Sequence, residues 1–242
     1  MRRPTRSTIE SRDSCGFSCI RDAVSVGVAL AWAASMLLSL PRDAVAQDVE
    51  LTIAETEDLV RMRHYEGMPP EEADRIGADG CVRLVEMLED PEEAASQAQI
   101  LLAIGHCAPE GGLEAIAAWA EQPRDGEIDR ATFRAWQVLP FALARLAEDD
   151  PRAVARLTAR LEDDSAPTWT FRHHRGARLV TLKRRAAADC LADTDHPDAD
   201  AALDRAARRA RDGAMREHLE RARDRHRERR ARRDDRPGAT QP

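Results

Sequence analysis

A cluster of aromatic and basic side chains at residues 169–178 has the residue types best suited to bind a ligand. Arginines near a helix start, together with the free amide protons of its first turn, bind carboxylate or phosphate groups. Histidines beside them would make such binding depend on pH. In the alternative interpretation, the aromatic rings cover the core and the charges only face solvent. The predicted patch, at the start of a basic helix expected over 172–185, comprises Trp169, Phe171, Arg172, His173, His174, Arg175 and Arg178.

Two other polar patterns look like metal sites but lack the spacing that a metal requires. In the acidic stretch 193–204, Pro197 stands fifth and Asp198 sixth, where a calcium loop requires an oxygen donor and a glycine. We therefore expect an acidic turn between helices. The second pattern consists of four possible zinc ligands: His106, Cys107, Cys190 and His196. These side chains could meet only if neighbouring helices stack. The sequence has no paired ligand spacing that would support a zinc site.

Motifs for nucleophilic catalysis and cofactor binding are missing from the chain. It contains no G-x-S-x-G, no phosphate-binding glycine loop and no dinucleotide fingerprint. The sequence therefore predicts no catalytic, cofactor-binding or metal-binding residue. A non-enzymatic protein is the preferred interpretation, and an enzyme with a site in a groove between repeats is the weaker alternative.

Charge divides the chain into an acidic part and a basic end. Residues 47–204 hold 17 basic and 33 acidic side chains, whereas residues 205–236 hold 14 basic and 7 acidic ones. An arginine-rich end could bind anionic lipid headgroups or an acidic polymer. Nucleic acid is not expected, because no aromatic residue interleaves the arginines for base stacking. The alternatives are a solvated helix and a tail that folds back on its own acidic body.

Helices must position these groups, because one pattern recurs three times along the chain. Each copy has an alanine-rich apolar run, a polar turn, a proline and a second apolar run. The copies read ILLAIGHCAPEGGLEAIAAWAE, ALARLAEDDPRAVARLTARLED and AADCLADTDHPDADAALDRAAR. Equivalent apolar positions lie 42 and 45 residues apart, at Ile104, Leu146 and Leu191. The turn prolines lie 42 and 46 residues apart, at Pro109, Pro151 and Pro197. Such a period is typical of stacked helical hairpins.

The helix ends ILLAIG and ALARLA, each followed by a proline turn, resemble the HEAT-repeat group of helical solenoids in its short bacterial form. The resemblance covers about residues 92–211, and Val154-Ala155-Arg156 comes nearest to the family's second-helix pattern. It implies an all-α, right-handed α-α superhelix of about four helical hairpins plus a C-terminal helix. It also implies a surface that holds a protein or peptide partner.

Local signals place the predicted helices and domains. We expect a kink or break near Leu139, because Pro140 lies inside an apolar helical pattern. The solenoid is predicted over 47–222, and a charged tail, disordered or a frayed helix, over 223–242. Longer loops are expected at 122–130 and 162–172. The predicted helices cover 58–65, 71–89, 92–107, 112–122, 129–148, 151–161, 172–191 and 197–211.

Residues 1–46 have the pattern of a secretory signal peptide. An arginine-rich start precedes the uncharged stretch 23–40, and Ala44-Val45-Ala46 offers cleavage between Ala46 and Gln47. The alternative is an uncleaved membrane anchor, although 18 apolar residues are at the lower limit for a span. After cleavage the sequence predicts no membrane span and a periplasmic or secreted protein.

Three cysteines follow the predicted cleavage site: Cys81, Cys107 and Cys190. An odd number leaves at least one thiol unpaired. Cys107 and Cys190 end apolar helical runs, so core filling is preferred for them, and one disulfide between neighbouring hairpins is the alternative.

These expectations together predict an exported, non-enzymatic interaction or scaffolding module. Its partner would be a protein or peptide bound on the helical-repeat surface, with specificity from the two longer loops. The alternative is an adaptor that binds an anionic envelope component or polyanion through the basic helix 172–185 and the arginine-rich tail.

Overall fold

The computed structural model describes residues 50–62 and 68–235. The predicted signal peptide, with its cleavage site at Ala46 and Gln47, lies outside the described residues, as does the end of the predicted tail. Among the helices that are described, none is long and apolar enough to cross a bilayer.

The described chain is mostly helical, which confirms the predicted all-α class. A short 3-10 helix (Pro91–Glu93) precedes α4, and two-residue strands β1 (Gly126–Glu127) and β2 (Trp169–Thr170) form a small parallel pair. The helices are α1 (Ile53–Arg61), α2 (Pro70–Ala73), α3 (Ala78–Glu89), α4 (Gln97–Cys107), α5 (Gly112–Glu121), α6 (Arg130–Leu146), α7 (Pro151–Glu162), α8 (Ala177–Asp193), α9 (Asp198–Arg209) and α10 (Gly213–Asp234).

Several helices begin at the capping residues that the sequence supplies. Thr52 and Glu55 form a reciprocal capping box at the start of α1. Aspartate side chains accept a hydrogen bond from the first turn of α6 and α7, at Asp129 and Asp150. Pro151 follows at the first position of α7, where its missing amide proton leaves no donor unpaired.

The first helices of successive repeat copies pack against one another in order. Helix α4 packs mainly on α6, α6 also packs on α8, and α8 packs on α10. The equivalent repeat positions Ile104, Leu146 and Leu191 are all buried, as their spacing predicts. Gly105 allows the close approach of α4 to α6, since a Cβ atom there would lie 2.8 Å from the Cα atom of Ala142.

Several helix predictions differ from the structure. Helix α1 begins at Ile53 and not at residue 58, and the single helix predicted over 71–89 is divided into α2 and α3. A kink or break was predicted near Leu139, and the break is absent: helix α6 continues through Pro140, which is buried, and α6 packs against α4. Helix α8 begins at Ala177, so residues 172–176 are not part of the basic helix predicted over 172–185. Arg172 and Gly176 adopt φ angles of 48° and 51°, which a right-handed helix does not allow.

Helix α10 continues past residue 222, where the sequence predicted a disordered or frayed tail. Its buried side chains recur at helical spacing and are Met215, Leu219, Ala222 and His226. Arginines of α10 that follow Ala222 pair with aspartates of α8, of α9 and of the turn between those helices. Arg225 bonds to Asp189 at 2.5 Å, Arg227 to Asp200 at 2.6 Å, and Arg229 to Asp195 at 3.1 Å.

A disulfide joins Cys81 in α3 to Cys107 in α4, with a Cα–Cα distance of 6.1 Å. The preferred interpretation of Cys107 as a core-filling thiol is therefore wrong, because the two helices bring its sulfur onto that of Cys81. Cys190 is buried and unpaired, as expected for a core thiol, and burial raises its pKa to about 12.

Candidate functional site

The two longer loops predicted from the sequence lie side by side. Strand β1 in the first pairs with β2 in the second, with Gly126 opposite Trp169. The amide of Ile128 donates to the carbonyl of Thr170 at 2.9 Å, and the hydroxyl of Thr168 donates to the carbonyl of Arg124 at 2.8 Å. These bonds fix the aromatic segment against the start of α6.

Aromatic rings from α6 and the second loop form a cluster between these elements. Phe171 stacks on Phe133 with ring centroids 4.1 Å apart, and Trp169 meets Trp136 edge to face at 5.1 Å. Trp169 is buried, Phe171 and Trp136 are half-buried, and His174 stacks on Phe133 at 5.5 Å. The rings therefore act mainly as a small satellite core, as the alternative interpretation of the patch predicts.

The remaining residues of the predicted patch surround this cluster at the surface. Arg172 places its guanidinium 5.3 Å from the centroid of the Phe171 ring. His173, Arg175 and Arg178 are exposed, and their side chains form no ion pair with any residue that the structure describes. The structure thus brings the patch residues together around one loop, with its charges spread over an open surface.

Two basic residues of the predicted helix 172–185 instead hold the protein together. Lys183 is buried and donates to the carboxylate of Asp163 and, at 3.1 Å, to the carbonyl of Ser165. Arg184 donates to the carbonyl of Leu161 at 2.9 Å, near the C-terminal end of α7. The buried ammonium group of Lys183 is therefore engaged within the protein, and Arg184 uses its Nε atom for the same purpose.

A groove that the sequence did not predict lies between α5 and α7, and residues of α5 and α6 form its floor. Its cavity has a volume of about 250 Å³. We call it the α5–α7 groove. The apolar lining includes Ile116, Ala117, Ala120, Leu139, Leu143 and Ala159, and the charged lining is Glu121, Arg156, Arg160 and Asp163.

Arg160 is the unusual residue of the α5–α7 groove. Its Nε atom is buried without a hydrogen-bond partner, and its guanidinium forms no ion pair with the described residues. The guanidinium carbon lies 5.7 Å from the centroid of the Trp136 ring, at the edge of the aromatic cluster. Burial lowers the pKa of Arg160 to about 10, an effect only partly opposed by Asp163. The side chain therefore keeps its charge at neutral pH but has no counterion within the part of the chain that the structure describes.

The other charges of the α5–α7 groove are already paired. Arg156 donates to Glu121 at 2.8 Å. Asp163 accepts hydrogen bonds from Lys183 and Ser165. Burial raises the pKa of Asp163, but these hydrogen bonds outweigh that effect and leave the pKa at about 2. Arg160 is thus the charge that remains to be balanced.

The sequence contains only a weak signal for Arg160. It lies three residues after the buried Leu157 and directly before the buried Leu161, so it borders the apolar face of α7. Many arginines of this chain have similar neighbours. The missing counterion depends on which residues α5 and α6 bring to the same place.

A larger cavity, of about 730 Å³, lies between α1, α4 and the start of α6. Its lining contains the buried side chain of Gln99 and the exposed arginines Arg130 and Arg134, but no carboxylate or histidine. Within residues 50–62 and 68–235, no group of three or more potential ligands could hold a metal ion. The disulfide removes Cys107 from the set considered for zinc.

A comparison of the chain with protein-family models, curated proteins and solved structures finds no significant match. The functional interpretation therefore depends on the geometry of the described residues.

Proposed function

We propose that this protein is an exported interaction module, built as a HEAT-like solenoid of helical hairpins, that binds a protein or peptide partner on its helical surface. The ordered packing of α4, α6, α8 and α10 supports a solenoid, because repeat hairpins bury their apolar faces against their neighbours.

The α5–α7 groove is the observation on which the proposal chiefly depends. It joins an apolar floor to a charge without a counterion, the combination expected where a partner supplies the missing anion. The two paired loops lie close by, since Trp136 contacts both the aromatic cluster and Arg160. A partner seated in the groove could therefore also contact the loops.

The disulfide supports export. Disulfides form and persist in oxidising compartments such as the periplasm and the extracellular space, and they are rare in the cytosol. The pairing of Cys81 with Cys107 agrees with the signal peptide predicted over residues 1–46.

The alternative of a polyanion-binding adaptor receives less support. Within α10, five arginines beyond Ala222 bond to aspartates of the protein itself: Arg223, Arg225, Arg227, Arg229 and Arg233. These groups would have to leave their present partners before they could bind a polymer.

Site-specific photocrosslinking in the native envelope tests the proposal. A photoreactive side chain replaces Ala120 or Ala159, on opposite sides of the α5–α7 groove, or Ala201 on α9 as an exposed control. We expect both groove positions to give a discrete adduct with the same protein, which excess unlabelled wild-type protein competes away. The control position should give none. Adducts equally strong at Ala201, or none at either groove position, would contradict the proposal.

A further inference from the structure

We infer that the α5–α7 groove binds the C-terminal residue of a partner polypeptide, with its α-carboxylate on Arg160 and its apolar side chain on the floor formed by α5 and α6. This inference rests on the proposed function and specifies the chemistry of the partner. It follows from the charge, the lining and the size of the groove.

The positive charge of Arg160 favours the binding of an anion. The Nε–H of Arg160 is buried and has no acceptor among the described residues, and an unpaired buried donor is costly. A carboxylate can accept two parallel hydrogen bonds from one guanidinium. Binding a carboxylate would therefore supply an acceptor as well as a counterion.

The other charged side chains of the groove do not compensate for Arg160. Glu121 pairs with Arg156, and Asp163 pairs with Lys183. An arriving carboxylate therefore meets two neutralised pairs and one unbalanced cation. The electrostatic preference of the site is for a single negative charge.

The floor of the groove calls for an apolar group next to that charge. Ile116, Leu139 and Leu143 form it, and each is almost fully buried. An apolar side chain placed there would gain contact with side chains that already belong to the core. A simple anion such as phosphate would use Arg160 and leave the more exposed apolar lining at Ala120 and Ala159 in contact with water.

The size of the groove favours a chain end. A cavity of about 250 Å³ is smaller than the usual range for a small-molecule site, which begins at about 300 Å³. Within a polypeptide, only the last residue carries a free α-carboxylate and its side chain on the same Cα atom, so it presents both groups at the required proximity.

Peptide binding to the full-length mature protein tests this inference. The probe is a fluorescently labelled hexapeptide that ends in leucine with a free carboxylate, measured by anisotropy. The same peptide as a C-terminal amide, and an amidated peptide with an internal aspartate, are the comparisons. We expect the free acid to bind about tenfold or more tightly than either, because only it presents carboxylate and side chain together.

Substitutions in α7 separate a binding role from a structural one. Arg160→Met replaces the unpaired charge with an apolar side chain of similar length, so the melting temperature should not fall. The same variant should lose about tenfold or more in affinity for the free acid. Arg152→Met, on the exposed face of the same helix and outside the lining of the groove, serves as the matched control and should change affinity by less than about twofold.

Equal affinity for acid and amide would overturn the inference, as would tighter binding of the aspartate peptide or no binding at about 1 mM. These results come from the wild-type protein, so they stand even if a variant folds poorly. A lower melting temperature for Arg160→Met with unchanged peptide binding would assign Arg160 a structural role. Crosslinks from Ala120 and Ala159 that persist after such a failure would leave the proposed function intact.

Discussion

Arg160 and His226 are both ionisable side chains placed in an apolar environment, and burial affects their charge differently. Arg160 remains protonated at neutral pH, because even a pKa lowered to about 10 is far above 7. His226 is buried on the inner face of α10, where burial, and secondarily Arg230, lower its pKa. The imidazole is therefore neutral at pH 7 and fills an apolar position of the helix.

The buried His226 makes stability depend on pH. Its folded-state pKa is below the unfolded value of about 6.5, so the unfolded state takes up the proton first. Its contribution is fully present above about pH 6.5 and is lost as the pH falls below that value. Uptake of this one proton lowers the free energy of unfolding by at most about 1.4 kcal/mol for each pH unit.

Urea unfolding of wild type and His226→Leu at pH 7.5 and 5.5 measures this effect. The loss of free energy of unfolding on acidification should be larger for wild type than for the variant. His106, whose pKa burial also lowers, is present in both proteins, so the difference isolates His226. Parallel losses in the two proteins would show that His226 does not titrate as the structure requires.

At the scale of single elements, the pairing of α4 with α6 depends on one glycine. A Cβ atom at Gly105 would approach the Cα and carbonyl oxygen of Ala142 to 2.8 Å, and backbone cannot move aside as a flexible side chain can. We expect Gly105→Ala to lower the free energy of unfolding by about 2 kcal/mol, because the helices must separate.

Gly213→Ala is the matched control for Gly105→Ala. A Cβ atom at Gly213 meets nothing within 4 Å, so this substitution should be neutral or stabilise by up to about 1 kcal/mol. Chemical denaturation of both variants provides the comparison. Equal effects would mean that α4 and α6 can shift to accommodate the added methyl group.

The charge pattern of α10 is also explained at this scale. The acidic stretch 193–204 supplies Asp195, in the turn before α9, and Asp200, in the first turn of α9, which pair with Arg229 and Arg227. Each pair is partly exposed and stabilises by only about 0.2–1 kcal/mol. Together with the buried stripe they hold the arginine-rich helix on the body, where the sequence left open whether it would fold back.

At the scale of the whole molecule, the disulfide connects folding to the compartment. It closes a segment with a sequence separation of 26 residues, for which loop-closure entropy predicts a stabilisation of about 3 kcal/mol. Cys107→Ser should lose this stabilisation, and a reducing agent should lower the wild type to the level of the variant. Thermal unfolding with and without the reducing agent is the measurement. If reduction leaves the wild type unchanged, the bond does not contribute.

Repeat spacing and proline turns, which are local properties, were sufficient to predict most helices and the buried positions Ile104, Leu146 and Leu191. The predicted patch residues lie around one loop, yet Trp169 is buried and Lys183 pairs with Asp163, so a binding role for the patch stays a prediction. The contacts that bury Trp169 and pair Lys183 join residues about 20 or more positions apart in the sequence, so no local pattern reveals them. The start of α8 was wrongly predicted at Arg172 because a positive φ at a non-glycine residue has no clear sequence signal.

By itself, the sequence determined the all-α class, the repeat period and the division between an acidic body and a basic end. These features follow from the order of apolar and charged residues along the chain. Only the tertiary structure decided which arginines are neutralised and which are not. Five arginines of α10 bond to aspartates elsewhere in the fold, whereas Arg160 lies in a groove between α5 and α7 and finds no carboxylate partner among the described residues. The physical reason is that an ion pair requires two charges close together in space, and the packing of helices that are distant in sequence determines which charges are close.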